Sequence, residues 1–191
     1  WNLVSPTPYL PFIREAIQPL RKEGINLPFV WNSSGYERIE TLEEYADLCD
    51  FALFDLRYAA DETAIKFSSA RGYVVAARGA VRWAYENGKK LIVRLLVLPG
   101  HADEAIENLA FLATELSNEI PVSVMSQYTP AYRALEMPPF NRSVTVDEYE
   151  SVTEAAADFG FENGWIQGYG ASDPKLALLG ENMSADHGTV V

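Results

Sequence analysis

Short apolar runs alternate along this chain with longer segments whose apolar residues recur every three or four positions, the pattern of buried strands followed by amphipathic helices. Strands are predicted at Asn2–Val4, Leu27–Trp31, Phe51–Phe54, Leu91–Leu98, Val122–Met125 and Gly164–Gln167. Between them, Leu10, Ile13, Ile17 and Leu20 mark one helix, with Pro11 tolerable in its first turn and Pro19 expected to kink it or end it early. Thr41 and Glu44 read as a capping box opening a helix that runs to about Cys49, and Thr145 with Glu148 read as another. Val74, Ala77, Val81 and Ala84 define a helix closed by Asn87-Gly88, and Ala105, Ile106, Leu109, Leu112, Ala113 and Leu116 define the next. Residues 134–144 lack a period and are read as an ordered loop, and the pattern fades after Gly168. Regular alternation makes βα units with right-handed crossovers the economical architecture. About six strands fit either an incomplete barrel or a doubly wound sheet on pattern alone.

In both architectures ligands gather at the carboxyl ends of the strands, so the residues just past each apolar run matter most. The run Phe51-Ala52-Leu53-Phe54 has no polar alternation and predicts a strand buried on both faces; Asp55 and Arg57 emerge at its end. Opposite charges two residues apart suit a zwitterionic ligand, while mutual pairing is the plainer role for them. Asn32-Ser33-Ser34-Gly35-Tyr36 follows the second strand as a polar loop whose glycine permits close backbone approach, or is simply a βα turn. Arg94 interrupts the most apolar strand and requires a partner or an exit from the sheet, because an unpaired buried charge is costly. Glu37, Asp61 and Asp103 lie in βα loops, where helix capping or solvent exposure is the expected role.

Composition narrows the classes. At 191 residues the chain is one domain, or a domain with an appendage. A net charge of −12 leaves no excess of Lys or Arg to displace counterions from phosphates, which argues against nucleic-acid binding. No run of about 18 apolar residues and no signal-like segment is visible, so neither a membrane span nor secretion is expected and the cytoplasm is the default. The single Cys49 excludes an internal disulfide and reads as a core residue; with only His101 and His187 as imidazoles, no metal-ligand set and no catalytic triad is predicted.

Five blocks, NLVSPTPYLPFIREA, FVWNSSGYE, FALFDLRYAAD, IVRLLVLPG and VSVMSQYTPAYRA, together resemble the later part of radical S-adenosylmethionine proteins, in the branch similar to pyruvate formate-lyase activating enzyme. The resemblance covers about Asn2 to Gln167 and implies an α/β fold, an incomplete TIM-type barrel of parallel strands with outer helices. It divides the chain into a partial barrel domain, 1–167, and a carboxyl-terminal tail, 168–191. Ser5-Pro6-Thr7-Pro8 stands where the family carries Gly-Gly-Glu for the amino group of S-adenosylmethionine, leaving the Ser5 and Thr7 hydroxyls and backbone carbonyls as weaker acceptors. Asn32 and Ser34 fall in the family's polar turn. Asp55 and Arg57 match its Asp-x-Lys pair, which reaches the ribose and carboxylate of the cofactor, and Arg94 matches the arginine of its Arg-x-x-Val-x-Pro-Gly strand. Gln127 lies in the segment where relatives carry a Tyr-His pair, and Thr129 stands in place of that imidazole.

The family's Cys-x-x-x-Cys-x-x-Cys segment, which ligates a [4Fe–4S] cluster, is not in this chain. What the resemblance implies is therefore the carboxyl-terminal part of a longer enzyme. S-adenosylmethionine and the cluster would serve that parent protein in making a 5′-deoxyadenosyl radical for hydrogen abstraction, with a glycyl-radical protein as partner. This chain alone is expected to bind neither cofactor and to be inactive, and no catalytic residue is assigned. The altered Ser5–Pro8 loop, the missing cysteines and Thr129 favour an alternative, a non-catalytic ligand- or protein-binding module on the same scaffold. A third reading, a lyase or hydrolase with Asp55 as base, lacks a second catalytic group.

Overall fold

The computed structural model of the protein describes residues 1–169 and 189–190. One sheet organises it, in the order β1 (Asn2–Val4), β2 (Val30–Ser33), β3 (Phe51–Asp55), β4 (Lys90–Leu96), β5 (Val122–Met125), β6 (Gly164–Ile166) and β7 (Thr189–Val190). The first six strands are parallel, and β7 adds antiparallel to β6. Helices α1 (Leu10–Lys22), α2 (Ile39–Glu44), α3 (Asp61–Ser68), α4 (Tyr73–Glu86), α5 (Ala102–Glu115) and α6 (Val146–Asp158) connect them. Strand order follows sequence order without reversal among the described strands, which sets aside the doubly wound alternative and its switch point.

Crossovers of one hand between sequential neighbours place every helix on the same face, and side-chain burial records that asymmetry. Trp31, Ala52, Phe54, Leu91, Val93, Leu95, Val122 and Val124 are buried on the helix side. Ala77, Ala80 and Ala84 let α4 lie close against β3 and β4, while Leu109 and Leu112 of α5 and Val152 of α6 complete the core. Burying each large side chain contributes about 1.5–3 kcal/mol. The opposite face is only half covered: Phe51, Leu53, Ile92 and Leu96 alternate with the buried set. The strand predicted to be buried on both faces is thus buried fully on one.

Several element boundaries differ from expectation for local reasons. β2 begins at Val30 rather than Leu27, because Pro28 has no N–H to give and the Phe29 N–H is taken by the Asp50 carboxylate at 2.8 Å. Pro19 neither ends α1 nor cuts it short: the helix continues to Lys22, and the Pro19 carbonyl accepts the Glu23 N–H. The Thr41–Glu44 capping box does not form, since α2 starts at Ile39 behind an extended Arg38 and both residues lie within the helix. The Thr145–Glu148 box does form, reciprocally. A short 3₁₀ turn, Tyr132–Glu136, interrupts the loop after β5. Most of the segment read as a tail lies outside the described residues; within them, the Tyr169 hydroxyl donates to the Val144 carbonyl at 3.1 Å. No helix among the described residues is long and apolar enough to cross a membrane.

Candidate functional site

Register decides which polar residues meet. Asp55 at the end of β3 is the Cα partner of Arg94 in β4, so both side chains project from the half-covered face at one level. Arg94 Nε donates to Asp55 Oδ1 at 2.6 Å and its Nη2 to Asn32 Oδ1 at 2.8 Å, joining β2, β3 and β4. Arg57 Nη2 approaches Asp55 Oδ2 at 3.3 Å, a longer and weaker contact, and its Nε is buried without a partner among the described residues. The Asp55 side chain is only 15% exposed, so these ion pairs are screened less than surface pairs. Two guanidiniums surround one carboxylate, and the cluster carries a surplus positive charge facing the open side of the sheet.

The arginine in the apolar strand therefore found the partner it required, and the pairing of Asp55 with Arg57 is real but secondary to that with Arg94. Ser5 joins the edge of the cluster through its backbone, its N–H donating to the Asn32 carbonyl at 2.8 Å from a left-handed conformation, φ 48. Ser34 is exposed beside it. Two other predicted residues are employed elsewhere. The Thr7 hydroxyl shares its proton between both oxygens of Glu37, at 2.8 and 2.7 Å, and Gln127 is exposed, its Oε1 3.4 Å from Gln167 Nε2.

Glu37 corrects another expectation. It neither caps a helix nor faces solvent; it is buried under the loop after β1, where it also accepts from Trp31 Nε1 at 3.3 Å. Gly35 likewise makes its close approach to protein rather than to open space: at φ +74, an added Cβ would stand 2.5 Å from the Asp55 carbonyl oxygen. Cys49 is fully buried as expected, and burial pushes its thiol up to about 11.

Two residues that hold the site were not singled out from sequence. The Tyr73 hydroxyl accepts the Arg57 N–H at 3.0 Å and offers its single proton to the Ser34 and Asp55 carbonyls at 3.0 and 3.2 Å. Burial pushes this phenol up to about 12, so it stays neutral and able to donate. Glu104, buried at the start of α5, accepts the Ala59 and Ala60 N–H groups at 2.8 and 3.1 Å on one oxygen, while His101 Nδ1 lies 3.0 Å from the other. Together they fix the loop that carries Arg57. Asp103, expected in a βα loop, and Glu104 form the acidic first turn of α5, and only the folded chain shows that Glu104 reaches back to the loop after β3.

The fold is that of a known α/β class. A domain of pyruvate-formate lyase-activating enzyme from Bacteroides vulgatus superposes with a TM-score of 0.64 over 88% of this chain and 98% of that domain, at 15% identity, a likeness that shows the fold. In sequence the chain is 32% identical over 160 residues to an uncharacterized protein of Methanocaldococcus jannaschii, matching 83% of this chain and 45% of that protein. The chain thus spans about half the length of the curated relative it matches. No family model matches it.

Proposed function

We propose that this chain is the cofactor-contacting portion, residues 1–167, of a radical S-adenosylmethionine protein related to pyruvate formate-lyase activating enzyme. The observation that carries the reading is the Asn32–Arg94–Asp55–Arg57 network at the carboxyl ends of adjacent parallel strands, on a fold shared with a domain of that enzyme. The surplus charge of Arg57 and Arg94 suits the cofactor's carboxylate, and the remaining lone pairs of Asp55 suit ribose hydroxyls. Ser5, Ser34 and Gln127 present polar groups at the rim.

A [4Fe–4S] cluster does not fit the residues of this chain. Cys49 is its single cysteine, it is buried, and its raised pKa disfavours the thiolate a cluster needs. Cluster ligands would come from outside this chain, and S-adenosylmethionine bound to such a cluster supplies a 5′-deoxyadenosyl radical for hydrogen abstraction. A glycyl-radical protein is the corresponding partner. A second reading, a ligand-binding module without radical chemistry, draws support from Thr7: its hydroxyl, a candidate acceptor for the cofactor's amino group, is already engaged by Glu37.

Calorimetric titration of S-adenosylmethionine into the cluster-bearing full-length parent protein and its Asp55→Asn form tests the cofactor site. We expect saturable binding that weakens by about 1.5–3 kcal/mol in the variant, the contribution of a charge-assisted contact. Equal affinity in both forms, or no saturable heat with folded protein, would reject the assignment.

A further inference from the structure

Beside the Asp55 cluster, past the ends of β4 and β5, lies a cavity of about 540 Å³. Its lining includes three cationic residues, Arg57, Lys66 and Arg133, and no carboxylate among the described residues. In a chain with 27 acidic and 15 basic residues, that is the reverse of the overall balance. Neither Lys66 nor Arg133 has a carboxylate within 4.0 Å among the described residues, and the Arg57 side chain, 37% exposed, is held by Asp55 only at 3.3 Å. Lys66 Nζ sits 4.9 Å over the Phe67 ring, a cation held against an aromatic face rather than an acid.

The rest of the lining is mainly aromatic and aliphatic, with Ser69 and the tyrosine hydroxyls as its neutral polar groups. Phe67 and Phe140 stack with centroids 3.9 Å apart, and Tyr128 meets Phe140 edge-on at 5.6 Å. Of the three tyrosines in the lining, two have engaged hydroxyls: Tyr128 donates to the Phe140 carbonyl at 2.8 Å, and Tyr58 bonds Ser68 at 2.7 Å. What the Tyr58 and Tyr128 rings offer a ligand is therefore surface area, while the charged capacity of the lining is cationic, beside the neutral hydroxyls of Ser69 and Tyr132. Tyr132, next to Arg133, is held at φ 51 and is 86% exposed, and strain of this kind concentrates at ligand sites.

We propose that this cavity binds a small molecule bearing a carboxylate or a phosphate at one end of a flat apolar body. The anion is received by Arg57, Lys66 and Arg133, and the body packs on the Phe67–Phe140 stack. The inference stands apart from the cofactor reading, with which it shares only Arg57, and a ligand without sulfonium or amino-acid groups tests it separately.

Phenylacetate, phenyl phosphate, neutral benzyl alcohol and inorganic phosphate would each be titrated into the protein by calorimetry. The same series would follow with a Lys66→Gln/Arg133→Gln variant, both sites being exposed, whose folding is checked by thermal melting. At least one aryl anion should bind saturably and about tenfold or more tighter than benzyl alcohol and than inorganic phosphate, and should lose about tenfold or more in the variant. The tighter of the two aryl anions identifies the anionic group. Benzyl alcohol binding as tightly as the anions, unchanged affinity in the folded variant, or no saturable binding by any aryl anion to the native protein would each overturn the proposal.

Discussion

Two neighbouring regions at the carboxyl ends of the strands treat positive charge in opposite ways. In the Asp55 cluster, Arg94 is matched to a carboxylate and an amide at hydrogen-bond distance, and the three strands that carry them are adjacent in the sheet. In the cavity next to it, Lys66 lies over the Phe67 ring, and neither it nor Arg133 has a carboxylate in reach among the described residues. A matched cation acts first as a cross-link between strands and only its surplus is offered outward. An unmatched one keeps its full capacity for a ligand, at the cost of local repulsion. Arg57 belongs to both regions, and the loop that carries it is fastened by Tyr73 on one side and Glu104 on the other.

Cutting that fastening should have the largest effect. Glu104→Ala would leave the buried Ala59 amide and the half-buried Ala60 amide without an acceptor, and we expect a loss of about 2–4 kcal/mol in denaturant unfolding. A loss below about 0.5 kcal/mol, the usual range for surface changes, would show that the loop is held by packing alone. Gly35→Ala attacks the cluster from the other side: a left-handed alanine whose Cβ meets the Asp55 carbonyl should cost about 1–3 kcal/mol and disturb the β3 end. Wild-type stability in this variant would mean that the β2 loop shifts freely, against the geometry described.

Tyr73→Phe removes only a hydroxyl, so the comparison sharpens. A loss of about 1–2 kcal/mol is expected, together with faster amide hydrogen exchange at Arg57, whose N–H donates to that oxygen. Unchanged exchange at Arg57 would contradict the role given to the hydroxyl.

The smallest effect concerns the anchor of the cavity loop. Glu148 accepts from Arg142 at 2.7 Å on each of its oxygens, from the Gly100 N–H at 2.7 Å and from the Thr145 N–H at 2.8 Å. The Arg142 guanidinium, with these backbone N–H groups, holds its carboxyl down to about 2. A folded pKa below the unfolded one means that the stabilisation is present above about 4.5 and is lost as the pH falls towards 2. Glu148→Gln should therefore be less stable than the native protein near neutrality, with the difference shrinking across that acid range in melting curves. A pH-independent difference would break the linkage. Thr145→Ala, removing only the hydroxyl side of the cap, should cost about 1 kcal/mol.

The order and type of the six parallel strands and of five helices were legible because strand and helix periods are local properties of the chain; α3, which begins at Asp61 where a loop was expected, and the antiparallel β7 were not predicted. The Thr145–Glu148 cap was legible for the same reason, since both of its partners lie within one turn. The Thr41–Glu44 pattern carried the same letters and failed, because the extended Arg38 before Ile39 already starts the helix and a motif does not fix its own phase. Pro19 misled in the other direction: a proline one turn from a helix end is tolerated when the remaining carbonyls are met by the closing turn.

Within the candidate site, Asp55, Arg57 and Arg94 were named from local context alone: charges at or inside apolar runs are conspicuous. That Asp55 pairs chiefly with Arg94 depends on the parallel register of β3 and β4, and that Thr7 serves Glu37 depends on two loops meeting 30 residues apart. Tyr73 and Glu104 carry no local signal, because a buried phenol or carboxylate on a helix looks like any other polar residue until its long-range partner is known. Sequence by itself determined which segments become strands and which charges need partners. The tertiary structure decided which partners they received, since pairing energies fall off within a few ångströms and only strand register and loop packing set such distances.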